Sequence, residues 1–145
     1  MNEFMFVALD EARKGIRKGH GGPFGAVIVR DQKVVAKAHN TVLKDKDSTC
    51  HAELSAIKKA CKKLKSFDLS GCEIYTTGRP CPMCRSAIQW AKISKVFFGC
   101  DYEEAKKIGF DELSGNSFGY EEVILDSKEC EDLYMEYGSS ERRSY

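Results

Sequence analysis

Phe4, Val7, Ala8, Ala12 and Ile16 recur at helical spacing, and Gly19 follows as a stop, so the chain is expected to open with an amphipathic helix. The period then changes. GAVIV (25–29) and KVVAKA (33–38) are short extended runs on either side of Arg30-Asp31-Gln32, a turn-sized gap, and predict a hairpin of two strands. After the polar stretch TVLKDKDSTC, an apolar stripe of Ala56, Ile57, Ala60, Cys61 and Leu64 predicts a helix from about His51 to Leu64. Strand and helix patterns alternate from there. CEIYTT (72–77) reads as strand, Cys81 to Ala91 as helix, SKVFFG (94–99) as strand, DYEEAKKI (101–108) as helix and EEVIL (121–125) as a last strand. Cys130, Leu133, Tyr134 and Tyr137 mark a last helix, and Gly109 to Gly119 reads as the long loop. Such alternation implies a layered α/β domain with parallel strand pairs in its second half. With no repeat, low-complexity tract or linker in view, residues 1–145 are expected to form one domain.

Composition narrows the class. The 145 residues are 42% hydrophobic, enough for a real core. No window is apolar for long enough to cross a bilayer, and the first residues do not read as a signal peptide, so a cytoplasmic protein is expected. Formal net charge is +1, from 23 basic and 22 acidic side chains, which leaves no global field to draw in nucleic acid or an anionic membrane and favours a small substrate. Lys58, Lys59, Lys62 and Lys63 lie opposite the apolar stripe of their helix and read as its solvated face. Seven cysteines without the dense spacing of a disulfide scaffold suit a reducing compartment, and Cys50, Cys61, Cys72, Cys100 and Cys130 read as small, half-buried residues.

The other two cysteines, in GRPCPMCRSA, are a different matter. Cys81-x-x-Cys84 fits half of a structural zinc site, a dithiol redox pair, or two ligands of a catalytic metal. A zinc ribbon needs a second pair, and none follows. A redox pair belongs just after an early strand of a βαβ unit, whereas this one comes late. The third reading needs a nitrogen ligand, and His51 stands apart from His20 and His39 because Glu53 lies two residues on, at the start of a helix. One His and two Cys leave a fourth tetrahedral position for water, the mark of a catalytic zinc site. Two thiols at a helix N-terminus are favoured as thiolates by its dipole. Zinc brings the acidity of water toward neutrality, and Glu53 is placed to carry the proton between water, substrate and leaving group. H-x-E with P-C-x-x-C is the signature of the zinc nucleobase deaminases. GGPFG lacks the G-x-x-x-x-G-K pattern of a phosphate loop, and its glycines read as permitting a tight backbone beside the pocket.

The run GGPFGAVIV, then Asn40, HAE, PCPMC followed by SAIQWA, and GFDE resembles the guanine deaminase branch of the cytidine deaminase superfamily over most of the chain. The resemblance implies a three-layer α/β/α cytidine deaminase-like fold with a mixed, roughly five-stranded sheet. It implies one zinc on His51, Cys81 and Cys84, Glu53 as proton shuttle, Asn40 as a contact to the substrate, Phe24 and Trp90 lining the base pocket, and a second carboxylate in GFDE. By spacing from Cys84 that carboxylate is Glu112, with Asp111 as the fallback. Guanine presents N1–H and its 2-amino group side by side, two donors that one carboxylate accepts together, so a second carboxylate favours guanine over cytosine or adenine.

The resemblance further implies a homodimer, with residues 120–145 exchanged so that Tyr145 enters the partner's site. Two departures stand out. Arg79 occupies a position where many relatives carry an acid, and the C-terminal part is short and polar. The leading expectation is a deaminase that turns guanine into xanthine and ammonia. A tRNA adenosine deaminase, a deaminase of cytosine or another aminated ring, and a zinc-binding interaction module without activity are the alternatives.

Overall fold

A computed structural model of the chain describes residues 2–110 and 124–138. The chain divides into two compact units, residues 1–114 and residues 115–145.

In the first unit, helix α1 (Glu3–Arg17) starts where the Asn2 side-chain oxygen accepts the N–H groups of Phe4 and Met5, at 2.8 and 3.1 Å. It stops at Lys18 and Gly19, the latter left-handed at φ 66°. Strands β1 (Gly25–Arg30) and β2 (Lys33–His39) form the expected hairpin. Its turn is shorter than the sequence suggested. Asp31 and Gln32, at φ 49° and 61°, make the two-residue turn whose twist matches the flanking strands, and Arg30 stays in the ladder. The pairing jumps from Ile28 with Ala36 to Val29 with Val34, which leaves Val35 as a bulge.

The polar stretch after β2 holds a single helical turn, α2 (Val42–Asp45), that no periodicity announced. Local polar groups build it: the Asn40 side-chain oxygen accepts the Val42 N–H at 3.0 Å, and the Thr41 hydroxyl donates to Asp45 at 2.7 Å. Then follow α3 (Ala52–Leu64), β3 (Glu73–Gly78), α4 (Pro82–Trp90), β4 (Lys95–Cys100) and α5 (Tyr102–Lys107). In the second unit, α6 (Ser127–Gly138) is the last helix.

The sheet runs β2-β1-β3-β4, with β1 antiparallel to both neighbours and β3 parallel to β4, so it is mixed as expected. Among the described residues it has four strands rather than about five. Most of the strand expected at 121–125 lies outside the described residues; Ile124 and Leu125 are irregular, and Asp126, at φ 51°, turns the chain directly into α6.

Alternation along β1 makes the layers. Ala26 and Ile28 pack against Ala52, Ala56 and Ala60 of α3 and Ile88 of α4, while Val27 and Val29 pack against Phe4 and Ala8 of α1. The three alanines, four residues apart, give α3 a face with no side chain beyond Cβ and let its first turn lie close against the sheet. Each fully buried Ile, as at Ile28 and Ile74, contributes about 1.5–3 kcal/mol by leaving water. The lysine face of α3 is exposed, as the stripe required. Cys50 and Cys61 are half-buried and Cys72 fully so, but Cys100, the last residue of β4, is exposed. No helix among the described residues is long and apolar enough to cross a membrane.

Topology gathers the chemistry at one end of the sheet. The C-terminal ends of β2 and β3 and the start of β1 lie side by side there, with Gly25 opposite His39 and Ala26 opposite Thr76. The loops that leave this end deliver α3 and α4 by their N-termini.

Candidate active site

His51 is the N-cap of α3 and Cys81 the N-cap of α4, both with extended backbone and neither capping its helix with its own side chain. Pro82 at the first helical position fixes the entry of α4, and Cys84, three residues after Cys81, points the same way from within the helix, fully buried. Nδ1 of His51 lies 3.6 Å from Sγ of Cys81 and 3.4 Å from Sγ of Cys84. A tetrahedral zinc with Zn–N of about 2.05 Å and Zn–S of about 2.3 Å separates neighbouring N and S ligands by about 3.6 Å, so these atoms stand where such an ion requires them. All three ligand atoms lie within 4.8 Å of one another. The residues present therefore fit zinc.

The hydrogen bond from Cys84, helped by the one from His51, holds the Cys81 thiol down at about 4 against the effect of burial. The Cys84 thiol, which donates to Cys81, is raised, and burial and the nearby Glu53 add to the rise. A divalent cation replaces that remaining proton when both sulfurs coordinate it. Glu53, the second residue of α3, is buried, and burial raises its carboxyl above the ordinary range against a backbone hydrogen bond and the contact with Cys84. A carboxylate with raised proton affinity beside a metal site is suited to taking a proton from water.

Above the ligands lies a pocket of 420 Å³, within the roughly 300–1,000 Å³ typical of small-molecule sites. His51 and Glu53 belong to its lining, together with Asn40, Phe24, Phe110 and Arg79. Asn40 is buried, and because its side-chain oxygen takes the Val42 N–H, its NH₂ is the group left for a ligand. Phe24 and Phe110 meet edge to face, with centroids 5.0 Å apart and planes at 85°. Gly22 makes that wall possible, since a Cβ there would stand 2.7 Å from the Phe110 ring.

Arg79 sits at the rim and is anchored. One of its nitrogens donates to both oxygens of Asp101 at 3.2 and 3.4 Å, and its guanidinium lies 4.9 Å from the Tyr102 ring centroid and 5.6 Å from that of Phe98.

The structure thus brings His51, Glu53, Cys81, Cys84, Asn40 and Phe24 together. Trp90 does not line this pocket among the described residues. It is the last residue of α4, 67% exposed; six residues beyond Cys84, about 600° of helix rotation, turn it away from the buried face. Phe110 occupies the aromatic place instead. The sequence carried a signal for it in GFDE, a run read for its acids and not for its ring. His20 and His39 stand apart from the ligand cluster, as expected, and bond to each other. Asp111, Glu112 and Tyr145 lie outside the described residues.

Comparison with known proteins gives the same answer from another direction. The family model of the cytidine and deoxycytidylate deaminase zinc-binding region matches residues 1–100. The chain is 43% identical to guanine deaminase of Bacillus subtilis (strain 168) over 126 residues, which is 87% of this chain and 78% of that protein. The X-ray structure of guanine deaminase from Bacillus subtilis superposes with a TM-score of 0.87 and 34% identity, covering 100% of this chain and 99% of that one. A tRNA-specific adenosine deaminase of Aquifex aeolicus (strain VF5) is 47% identical over 95 residues, 66% of this chain and 62% of that protein. A guanine deaminase structure from Nitrosomonas europaea matches with a TM-score of 0.71 and 29% identity, over 80% of this chain and 66% of that one. Since residues 1–100 contain His51, Glu53, Cys81 and Cys84 on the geometry described, the chain belongs to the cytidine and deoxycytidylate deaminase family of zinc-dependent enzymes.

Proposed function

We propose that this zinc-dependent hydrolytic deaminase acts on guanine, giving xanthine and ammonia. Bound zinc, on His51, Cys81 and Cys84, supplies the Lewis acidity that makes water a nucleophile near neutral pH. The protein supplies everything else. Glu53 takes a proton from the attacking water and passes protons to the ring and to the departing amine, so that the C–N bond breaks with loss of ammonia while a carbonyl forms. Asn40 donates its NH₂ to an acceptor on the base, and Phe24 and Phe110 enclose the ring. Glu112, with Asp111 as the alternative, accepts the paired donors that distinguish guanine.

The observation that carries guanine over a tRNA adenosine is coverage. By sequence, likeness to the Bacillus subtilis guanine deaminase runs through 87% of this chain, while likeness to the Aquifex aeolicus tRNA enzyme runs through 66%. The nearly balanced charge, +1 overall, also suits a free base better than a phosphate backbone. In the same reading the enzyme is a cytoplasmic homodimer in which residues 120–145 are exchanged and Tyr145 closes over the partner's site, excluding bulk water. Free thiols at Cys50, Cys61, Cys72 and Cys100 suit that compartment.

Ammonia release from guanine, adenine, cytosine, guanosine and a tRNA anticodon stem-loop tests the substrate. Guanine is expected to turn over fastest. Deamination of adenosine in the stem-loop with none of guanine would overturn the assignment and leave the zinc chemistry in place.

A further inference from the structure

Helix α1 carries one acid on its buried face. Glu11 is 7% exposed, on the side that also presents Phe4, Ala8 and Ala12. Its Oε2 lies 3.0 Å from Nδ1 of His39, the last residue of β2, and Nε2 of the same ring lies 2.9 Å from Nδ1 of His20. The two imidazoles stack, with centroids 5.2 Å apart and planes 25° from parallel. The helix leaves room for this arrangement. A Cβ on Gly15 would stand 2.7 Å from Cδ2 of His39, so a glycine inside a helix, where alanine is the better helix former, is what seats the ring.

The three groups constrain their own protons. A carboxylate only accepts, so Nδ1 of His39 carries a hydrogen. Neutral His39 then accepts from His20 through Nε2, and a protonated His39 donates to it instead. The line stays hydrogen-bonded with no excess proton or with one, but a second sets two N–H groups against each other across 2.9 Å.

The charges around the line are few. Glu11 faces Lys14 at 3.4 Å and Lys37 at 3.9 Å, with Asp10 on the far side of Lys14, and His20 faces Lys18, Lys44 and Asp45. Burial alone would raise the Glu11 carboxyl, but the His39 hydrogen bond and the Lys14 charge hold it below its ordinary value. Desolvation, then Lys44, His39 and Lys18, push His20 below the ordinary imidazole range. His20 therefore takes up its proton at lower pH than a free imidazole does.

What the line holds is the pocket wall. The residues after the two histidines, Gly21 and Asn40, both line the pocket. The His20 carbonyl accepts the N–H groups of Leu43 and Lys44, each at 3.0 Å, and the Asn40 N–H donates to the Phe24 carbonyl at 3.0 Å. A Cβ on Gly21 would stand 2.2 Å from the Asn40 side-chain oxygen, so the backbone that follows His20 packs directly against Asn40.

We propose that Glu11, His39 and His20 are positioning residues of the active site, a hydrogen-bonded line that holds Asn40 and the 20–24 loop ready for the base and releases them when both imidazoles are protonated. This rests on the reading of the pocket as the base site, and not on which base it takes.

The test compares the wild-type zinc enzyme with His20→Asn, whose amide can place an N–H near the position of Nδ1 and cannot take up a proton. Between about pH 7 and pH 5 the wild-type Michaelis constant is expected to rise about fivefold, the loss of one net hydrogen bond, and His20→Asn is expected to flatten that rise. Identical KM profiles in the two proteins, or a variant that differs in kcat alone, overturn the proposal. Ring-nitrogen NMR of the wild-type zinc enzyme gives a second readout that needs neither substrate nor variant. The chain has three histidines, and with His51 on zinc, Nδ1 of His39 should stay protonated throughout while His20 titrates below the ordinary imidazole range. Two imidazoles titrating together and independently near pH 6.5 refute the line even if the substrate has been correctly assigned. A wrong substrate, conversely, leaves the NMR result untouched.

Discussion

Gly22→Ala puts the aromatic wall of the pocket to a quantitative test. Gly22 has no left-handed backbone to protect, so the added methyl is the whole perturbation. It would stand 2.7 Å from Cζ and 3.0 Å from Cε1 of Phe110, and 2.9 Å from Cε2 of Phe24. Carbon atoms in contact settle at about 3.5–4.0 Å, so Phe110 must retreat by roughly 1 Å and the edge of the Phe24 ring must also give way. Phe24 gives less, because its backbone is tied to Asn40 and Gly78 lies close against its ring. Phe110, 38% exposed, is the ring that swings. What is lost is the edge-to-face contact, worth about 0.5–1.5 kcal/mol beyond burial, together with the wall it gives the base. That energy corresponds to about two- to tenfold in affinity.

The expected result is a Michaelis constant raised by about that factor, with kcat held within about twofold, since nothing that touches the reacting atoms has moved. Zinc content should stay at one per chain. Because Phe110 is already half in solvent, the melting temperature should fall by only a few degrees, about 2–4 °C for each kcal/mol lost. Steady-state ammonia release and metal analysis on the purified variant measure all of this. An unchanged Michaelis constant would show that the Phe24–Phe110 wall does not meet the base, and loss of zinc would show that the wall and the metal floor are not separable.

Three further expectations concern the remaining roles. Glu53→Gln should retain zinc and lose about 10²–10⁴ in kcat, and an undiminished rate would remove the proton-shuttle role. Glu112→Gln should abolish guanine turnover with metal retained, since an amide cannot accept both donors or carry a proton; if Asp111→Asn is the inactive variant instead, the assignment moves by one residue. Deleting Ser144 and Tyr145 should raise the Michaelis constant or lower turnover without loss of zinc, and a truncated enzyme with wild-type kinetics, or a monomer in solution, argues against the exchanged tail.

The metal site was legible in the sequence because its rules are local. A Pro at the first helical position, a Cys on either side of it, and a His two residues before a Glu at a helix start keep their relations however the rest packs. The hairpin and the layers followed from period alone, as Val27 and Val29 against Ala26 and Ile28 illustrate. Where the Trp90 ring points could not be read from sequence, because it depends on the phase of α4 relative to a pocket that only tertiary packing defines. Phe110 reaches the site from a loop, where no periodicity applies. Glu11 did leave a trace: an acid on the stripe with Phe4, Ala8 and Ala12 demands a buried partner, and which histidine answers it is set by where β2 ends.

The division between floor and wall bears on how such an enzyme changes over generations. His51, Cys81, Cys84 and Glu53 sit at the starts of α3 and α4, anchored in the alanine-lined core, whereas the rings and amide that line the pocket above them ride on separate loops. Drift in those loops can retune which aminated ring is accepted without risking the step that breaks the C–N bond. A directed-evolution library restricted to Phe24, Val42, Leu43, Ser48 and Phe110 should therefore yield altered preference at an unusually high rate among clones that still load metal.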